Sequence, residues 1–420
     1  MVERNWAGNI EYGAARFHRP ASIADVQSIV AAGTKVRGVG SRHSFNTIAD
    51  TGGDQISLSD LERVVEIDTQ ARTVTVDGGV KYGELATQLE ANGWALANLA
   101  SLPHISVAGA CATATHGSGV GNGNLATAVQ ALELVTASGD LVDVSRDDDP
   151  EMMDAMTVGL GAFGIVTRLT LAIEPTYSIS QRVYEHLPTP SAADRLEEIM
   201  ADGYSVSLFT SWRPDTVEQL WRKRRTTADD EDDDDASSPR FGATPALHDM
   251  HPIAQLSAEP CTEQMGLTGP WHERLPHFRM GFTPSSGEEL QSEVFVASSD
   301  GPDAVRTLVE LHDELAPVLQ ISEVRAVAAD TLWLSPCYQR DSIAFHFTWI
   351  LSWPDVEPVL ARMESALEPF SPRPHWGKLS TISGGILRSR FARLGAFEQL
   401  ITEWDPTGKF RNAYLDNVFA

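Results

Sequence analysis

Nearly every residue from Ala100 to Gly119 is small or hydroxylated: Ala-Ser-Leu-Pro-His-Ile-Ser-Val-Ala-Gly-Ala-Cys-Ala-Thr-Ala-Thr-His-Gly-Ser-Gly. A core strand needs larger apolar groups to fill space. A helix is penalised by so many Gly, Ser and Thr. The simplest physical reason for such a run is a close neighbour that is not a side chain, and a flat, extended ligand lying against the backbone supplies one. A glycine-rich surface loop is the plainer alternative.

Arg37-Gly38-Val39-Gly40-Ser41-Arg42-His43-Ser44-Phe45-Asn46 follows a short apolar strand predicted over Lys35 to Val39. Gly38 and Gly40 let the backbone come close to a ligand. Successive N–H groups in such a turn form a concave anion site, with pyrophosphate a natural occupant. His43 carries an imidazole that is neutral near pH 7 and can act as a nucleophile or a ligand. Taken alone, Gly-x-Gly is common in tight turns. Upstream, Phe17 to Pro20 reads as a strand, and Ser22-Ile-Ala-Asp25 has the form of a helix start. Ile23, Val26, Ile29 and Val30 give that helix one apolar face, and Gly33 ends it. No Gly-x-Gly-x-x-Gly opens a helix, so this is not a Rossmann fingerprint. Strands over 56–58, 64–67 and 73–76, a helix over 82–92 and a hairpin over 132–144 follow, and Gly159–Gly164 turns into a strand over 165–173.

A net charge of -26 argues against nucleic acid or an anionic membrane as partner. No apolar run is long enough to span a bilayer, and the first residues lack the apolar stretch of a signal peptide. Cys111, Cys261 and Cys337 are odd in number and far apart, with neither metal spacing nor a disulfide framework, which fits a reducing cytoplasm. Only five lysines occur: Lys35, Lys81, Lys223, Lys378 and Lys409. Seven consecutive acids, Asp229 to Asp235, read as a solvated loop rather than a calcium site.

From about Tyr177 the glycine content falls. Strands are predicted over 205–210 and 218–222, and helices over 303–316 and 357–370. In Ile321–Val327, Glu323 and Arg325 are two apart and share a face; in Ala344–Trp349, His346 and Thr348 do the same, while Phe345, Phe347 and Trp349 take the other. Polar residues on the inner face of a sheet must be paired or must meet a ligand. A structural ion pair and a buried histidine are the bland readings. Two prolines extend Ser371–Lys378, which delivers Lys378.

Arg37–Asn46, the Ser101–Gly119 run and Gly161-Ala-Phe-Gly-Ile-Val166 resemble the FAD domain of the vanillyl-alcohol-oxidase type. Asp405-Pro-Thr-Gly-Lys-Phe-Arg-Asn-Ala-Tyr414 is similar to that family's closing segment. Within the family, the chain resembles the bacterial alditol (xylitol) oxidases almost end to end, from Asn5-Trp-Ala-Gly-Asn9 onward, and least at the acidic insert near 227–240. The resemblance implies an α+β, two-domain (PCMH-type) FAD-binding fold whose substrate domain is built on a large antiparallel sheet. Residues 1–175 would bind FAD and residues 176–370 the substrate, with 371–420 returning to the FAD domain. FAD would be linked once, through His43, since Cys111 matches no second attachment. The implied FAD contacts are Arg37, Gly38, Val39, Gly40, Ser41, Arg42, His43, Ser44, Ser101, Ser106, Gly109, Thr113, Ala114, Thr115, His116, Gly117, Ile165 and His375. Lys378 falls beside the reacting edge of the flavin. Ser101, Glu323, Arg325, His346 and Thr348 fall around the polyol. His346, Lys378, Arg325 and Glu323 are the implied catalytic residues. His346 is the first choice as base and Lys378 the charge that stabilises developing anions, though the two roles are exchangeable. Small Ala100 would leave oxygen a path to the flavin. The expected protein is a cytoplasmic monomer that takes a polyol and O2 and releases hydrogen peroxide. A sugar-1,4-lactone oxidase of the same fold and a non-catalytic flavin- or carbohydrate-binding protein are the alternatives.

Overall fold

Ser22 caps the first helix as its motif predicts. The hydroxyl accepts from the Asp25 N–H, and Ile23–Ala32 is helical with Val26 and Val30 buried. This helix packs on a three-stranded parallel sheet of Arg16–His18, Asp54–Ile56 and Val36–Gly38, with Asp54–Ile56 in the centre. These elements belong to a computed structural model that describes residues 3–226, 238–282 and 288–420. The acidic run Asp229–Asp235 lies outside the described residues.

Val65–Asp68, Thr73–Asp77, Ile165–Ala172, Val129–Val135 and Leu141–Ser145 form an antiparallel sheet in that order. Burial alternates residue by residue along Ile165–Ala172, as period-two patterning requires. The small-residue run departs from expectation, because Val107–Ala112 is helical. The helix is one and a half turns long and buries Val107, Ala110 and Cys111. Its neighbour explains the composition. A Cβ on Gly40 would lie 2.2 Å from Ser106 Oγ and 3.8 Å from Gly109 Cα, so the glycine loop and this helix touch backbone to backbone. Tertiary contact outweighs a weak helix propensity here.

The second half of the chain builds a nine-stranded antiparallel sheet among the described residues. Its centre runs Thr216–Thr226, Ser205–Thr210, Leu319–Val327, Ser342–Ile350, Glu289–Ala297. One face packs under the helices Leu196–Ala201, Gly301–Glu310 and Trp353–Ala366 and buries Val324, Phe345, Phe347 and Trp349. Full burial of each Phe contributes roughly 1.5–3 kcal/mol. The helix expected over 303–316 breaks at Leu311 into Gly301–Glu310 and His312–Leu315. The helix expected from 357 starts at Trp353, because Pro354 in the first turn needs no N–H partner.

The closing segment returns to the first sheet. Val36 donates its N–H to Lys409 O at 2.9 Å. Lys409 Nζ donates to Val30 O and Ala137 O, both at 2.6 Å. Arg37 is buried and has no carboxylate partner among the described residues. Its guanidinium donates to the carbonyls of Gly161 (3.0 Å), Phe410 (2.9 Å), Leu160 (2.8 Å) and Ile48.

Candidate active site

The face of the large sheet turned away from its helices carries a polar row. Register places Phe209, Glu323, His346 and Glu293 side by side on four neighbouring strands. Alternation then sends their sequence neighbours Val324, Phe345, Phe347 and Val294 into the apolar core. Arg325 and Thr348 stand two residues along on the same face.

Glu293, which sequence reasoning did not single out, is the hub. Its carboxylate receives Lys378 Nζ at 2.7 Å and Arg325 Nη2 at 2.6 Å. His116 Nε2 lies 3.2 Å from its Oε1, near enough to feel the charge but out of line for a hydrogen bond. Burial alone would raise the Glu293 carboxyl; Lys378, His116 and Arg325 outweigh it and hold the group well below the usual range. Burial would likewise raise Glu323, but Arg325 and His277 hold it down. Lys378 is lowered by burial against the opposing pull of Glu293.

His346 Nε2 is buried and has no hydrogen-bond partner among the described residues. Burial first, then the Lys378 charge, pushes this imidazole well below its ordinary range. It is therefore a neutral imidazole with a free lone pair or N–H, near Lys378. Arg325 Nη1 reaches Ser101 Oγ at 3.4 Å. Behind Glu323, His277 Nε2 lies 2.7 Å from Oε1.

Lys378 is delivered by Arg373–Pro374, which pair with the edge of Glu289–Ala297, and by the Leu379 N–H bond to Gln291 O at 2.9 Å. The same segment is tied to the glycine loop. Asn46 Nδ2 donates to Trp376 O (2.8 Å) and Lys378 O (2.7 Å), and the Phe45 N–H donates to Gly377 O (2.8 Å).

In the loop itself, Arg42 is held at φ 64°, a region costly for a residue with a Cβ. Ser41 and Ser106 exchange N–H···Oγ bonds at 3.3 and 3.2 Å. The N–H groups of Gly40, Arg42, His43 and Ser44 have no protein acceptor among the described residues. The His43 ring stacks on Trp6 with centroids 5.3 Å apart, and its buried Nδ1 has no hydrogen-bond partner among the described residues. Burial, helped by the nearby His104, lowers this imidazole to about 4 and keeps it neutral.

Loop and polar row face one cavity of about 470 Å³. Of the sequence-derived site residues, Val39 to Ser44, Ser101, Ser106, Gly109, Thr113, Thr115, His116, Glu323, Arg325, His346, Thr348, His375 and Lys378 line it. Arg37, Gly38, Ala114, Gly117 and Ile165 do not. Arg37 is spent on carbonyls, Gly38 backs onto Ile165, and a Cβ at Gly117 would meet Leu99 O at 2.3 Å. Cys111 is also absent from the lining; its Sγ lies 3.4 Å from Tyr82 OH, and burial pushes the thiol up to about 12. Unpartnered loop N–H groups, a neutral orphaned imidazole and a small-residue floor together suit a pyrophosphate-bearing flavin.

The comparisons with known proteins agree. A family described as FAD binding domain matches residues 14–145, and one described as D-arabinono-1,4-lactone oxidase matches residues 290–418. The chain is 48% identical over 418 residues to the alditol oxidase of Streptomyces sp. (strain IKD472 / FERM P-14339), covering 99% of this chain and 98% of that one. It is 28% identical to the L-gulono-1,4-lactone dehydrogenase of Mycobacterium tuberculosis (strain ATCC 25618 / H37Rv), covering 99% and 98%. The crystal structure of cholesterol oxidase from B. sterolicum shares the fold, with TM-score 0.79 at 14% identity over 100% of this chain and 96% of that one. The chain is an FAD-dependent oxidoreductase of the vanillyl-alcohol-oxidase type and belongs to the alditol oxidase family.

Proposed function

We propose that the enzyme oxidises the terminal primary alcohol of an alditol such as xylitol or sorbitol to the aldose and reduces O2 to hydrogen peroxide. The observation that carries this reading is the neutral, unpartnered His346 imidazole beside Lys378, in one cavity with the His43 loop. An alcohol gives up its carbon-bound hydrogen only as its O–H proton leaves, so the site needs a base. His346 takes that proton. Lys378, anchored on Glu293, places positive charge where the alkoxide develops. Arg325 donates to hydroxyls further along the chain and Glu323 accepts from them, with Ser101 and Thr348 adding short polar contacts. Two cations, Lys378 and Arg325, balance two carboxylates, Glu293 and Glu323, before substrate arrives. Charges that are already paired suit an uncharged polyol.

When bound, FAD supplies a two-electron acceptor for the substrate and a donor to oxygen. Ser41, His43, Ser106, Gly109, Thr113, His116 and His375 would hold it, with His43 as the single covalent attachment. In this reading residues 1–175 carry the flavin, 176–370 the substrate and 371–420 return to the flavin side. Ala100, on the cavity wall, leaves oxygen its approach.

The lactone-oxidase match over residues 290–418 covers Glu293, Glu323, Arg325, His346 and Lys378, so a sugar 1,4-lactone is the second reading. Peroxide release from xylitol, sorbitol and a 1,4-lactone separates the two. The alditols are expected to win by roughly 100-fold or more in kcat/KM; turnover confined to the lactone would sink the first reading. Acid precipitation is expected to leave yellow flavin in the protein pellet and, for His43→Ala, in the supernatant. Colour in the wild-type supernatant would remove the covalent role from His43.

A further inference from the structure

In a chain with only five lysines, Lys223 is sealed inside the substrate sheet, 1% exposed. Its Nζ meets three groups that can accept: Leu275 O, Pro276 O at 3.3 Å and His277 Nδ1 at 3.2 Å. The other ring nitrogen of His277 lies 2.7 Å from Glu323 Oε1. An ionised carboxylate only accepts, so Nε2 must carry the ring proton and Nδ1 must be the acceptor. Lys223 is therefore the donor, and the tautomer is fixed from both ends. Phe209 and Trp221 hold the ring edgewise, at centroid distances of 5.4 and 5.1 Å. Glu323 Oε2 makes no hydrogen bond to protein among the described residues; its nearest charge is Arg325 Nε at 3.6 Å. Apolar residues of similar volume would fill this interior at no loss of stability. Burial lowers the Lys223 amine to about 7, but it carries N–H donors for His277 in either protonation state. A buried amine kept behind an active-site carboxylate is better explained by what it does to that carboxylate.

We propose that Lys223 and His277 are positioning residues that hold Glu323 in one orientation, with Oε2 turned to the cavity, and so make an inner hydroxyl on the substrate a condition of productive binding. The proposal rests on the alditol-oxidase reading above. It makes specificity a property of a three-residue relay, two members of which need not touch the substrate. A single fixed acceptor loses its partner when a substrate lacks that hydroxyl, and such sites discriminate strongly.

The test compares xylitol with 1,5-pentanediol, which has the same terminal alcohols and no inner hydroxyls. His277→Phe and Lys223→Met are expected to raise KM for xylitol at least about 10-fold while kcat stays within about 2-fold, and to reduce the xylitol-to-pentanediol ratio of kcat/KM by a similar factor. His277→Gln, whose amide can still donate to Glu323, is expected to regain most of the ratio. In a Glu323→Gln background, His277→Phe is expected to add no further loss. An unchanged ratio in His277→Phe, or full additivity with Glu323→Gln, overturns the proposal; if the Phe variant does not fold, Lys223→Met and His277→Gln decide alone. The ¹⁵N imidazole spectrum gives a readout independent of turnover. Should the wild type oxidise no alditol, the oxidase reading has failed, and the spectrum judges the relay by itself. An Nε2–H tautomer of His277 that is disturbed in Lys223→Met supports it, and an Nδ1–H tautomer overturns it.

Discussion

Lys378 and Glu293 form a buried ion pair on which the proposed chemistry leans, and each is expected to fail differently when removed. In the proposed mechanism, Lys378→Met deletes the charge that faces the developing alkoxide. The expected loss is on the order of 3 kcal/mol of transition-state stabilisation, or roughly 100-fold in kcat. Near-normal turnover on xylitol would strip Lys378 of that role. Glu293→Gln instead leaves two buried cations without their carboxylate, so folding suffers as well as rate. A stability loss on the order of 3 kcal/mol is expected by urea unfolding; an unchanged midpoint would mean that Lys378 and Arg325 find other anions. Glu293 was legible in principle. Glu289, Gln291 and Glu293 alternate with Leu290 and Val294, the same period-two signal that exposes the Glu323–Arg325 and His346–Thr348 pairs. His277 carries no such signal, because it stands outside any strand, and only the fold brings it to Glu323.

At the scale of elements, the glycine loop and the Val107–Ala112 helix act as one unit. Composition announced a close approach, and the helix itself stayed hidden because Gly, Ser and Thr disfavour helix wherever packing does not decide. Gly40→Ala tests the contact. Its new Cβ would collide with Ser106 Oγ at 2.2 Å, yet would stand 3.4 Å from Ser106 Cβ. Flavin occupancy, read from absorbance near 450 nm against protein (~450 nm being the ordinary flavin band), is expected to fall in Gly40→Ala and recover in Gly40→Ala/Ser106→Ala, since the second change removes the clashing atom. Full occupancy in the single variant would show that the loop has slack. In the large sheet, alternation marks Ser205–Thr210, Leu319–Val327 and Ser342–Ile350 nearly to their ends, but only the middle of Thr216–Thr226, whereas Ser178–Pro188 and Glu289–Ala297 were not anticipated at all. The break at Leu311 and the early start at Trp353 were not legible, because boundaries depend on local capping.

For the whole molecule, buried neutral histidines set the acid limit. His43, His116, His277, His346 and His375 are all pushed below the ordinary imidazole value, by burial first. Below about 6.5 the unfolded chain takes up protons that the folded chain refuses. Stability is therefore full above that pH and is lost as pH falls toward the folded value, about 4 for His277. His277 alone contributes on the order of 2 kcal/mol of that loss at roughly pH 5. Urea midpoints are expected to fall steadily from pH 7.5 to pH 5; flat midpoints would mean that these imidazoles protonate in place.

Arg37 draws together carbonyls from Ile48, Leu160, Gly161 and Phe410, across separations of up to 373 residues. During synthesis the first of these segments is exposed long before the last has been made. Until residue 410 has emerged, the guanidinium lacks one of its four carbonyl acceptors, so the loop that follows it is expected to have no settled shape. Cofactor loading then follows translation instead of accompanying it. Ribosome-arrested chains that stop short of Asp405 are expected to hold no flavin, and yellow nascent chains would reverse that order.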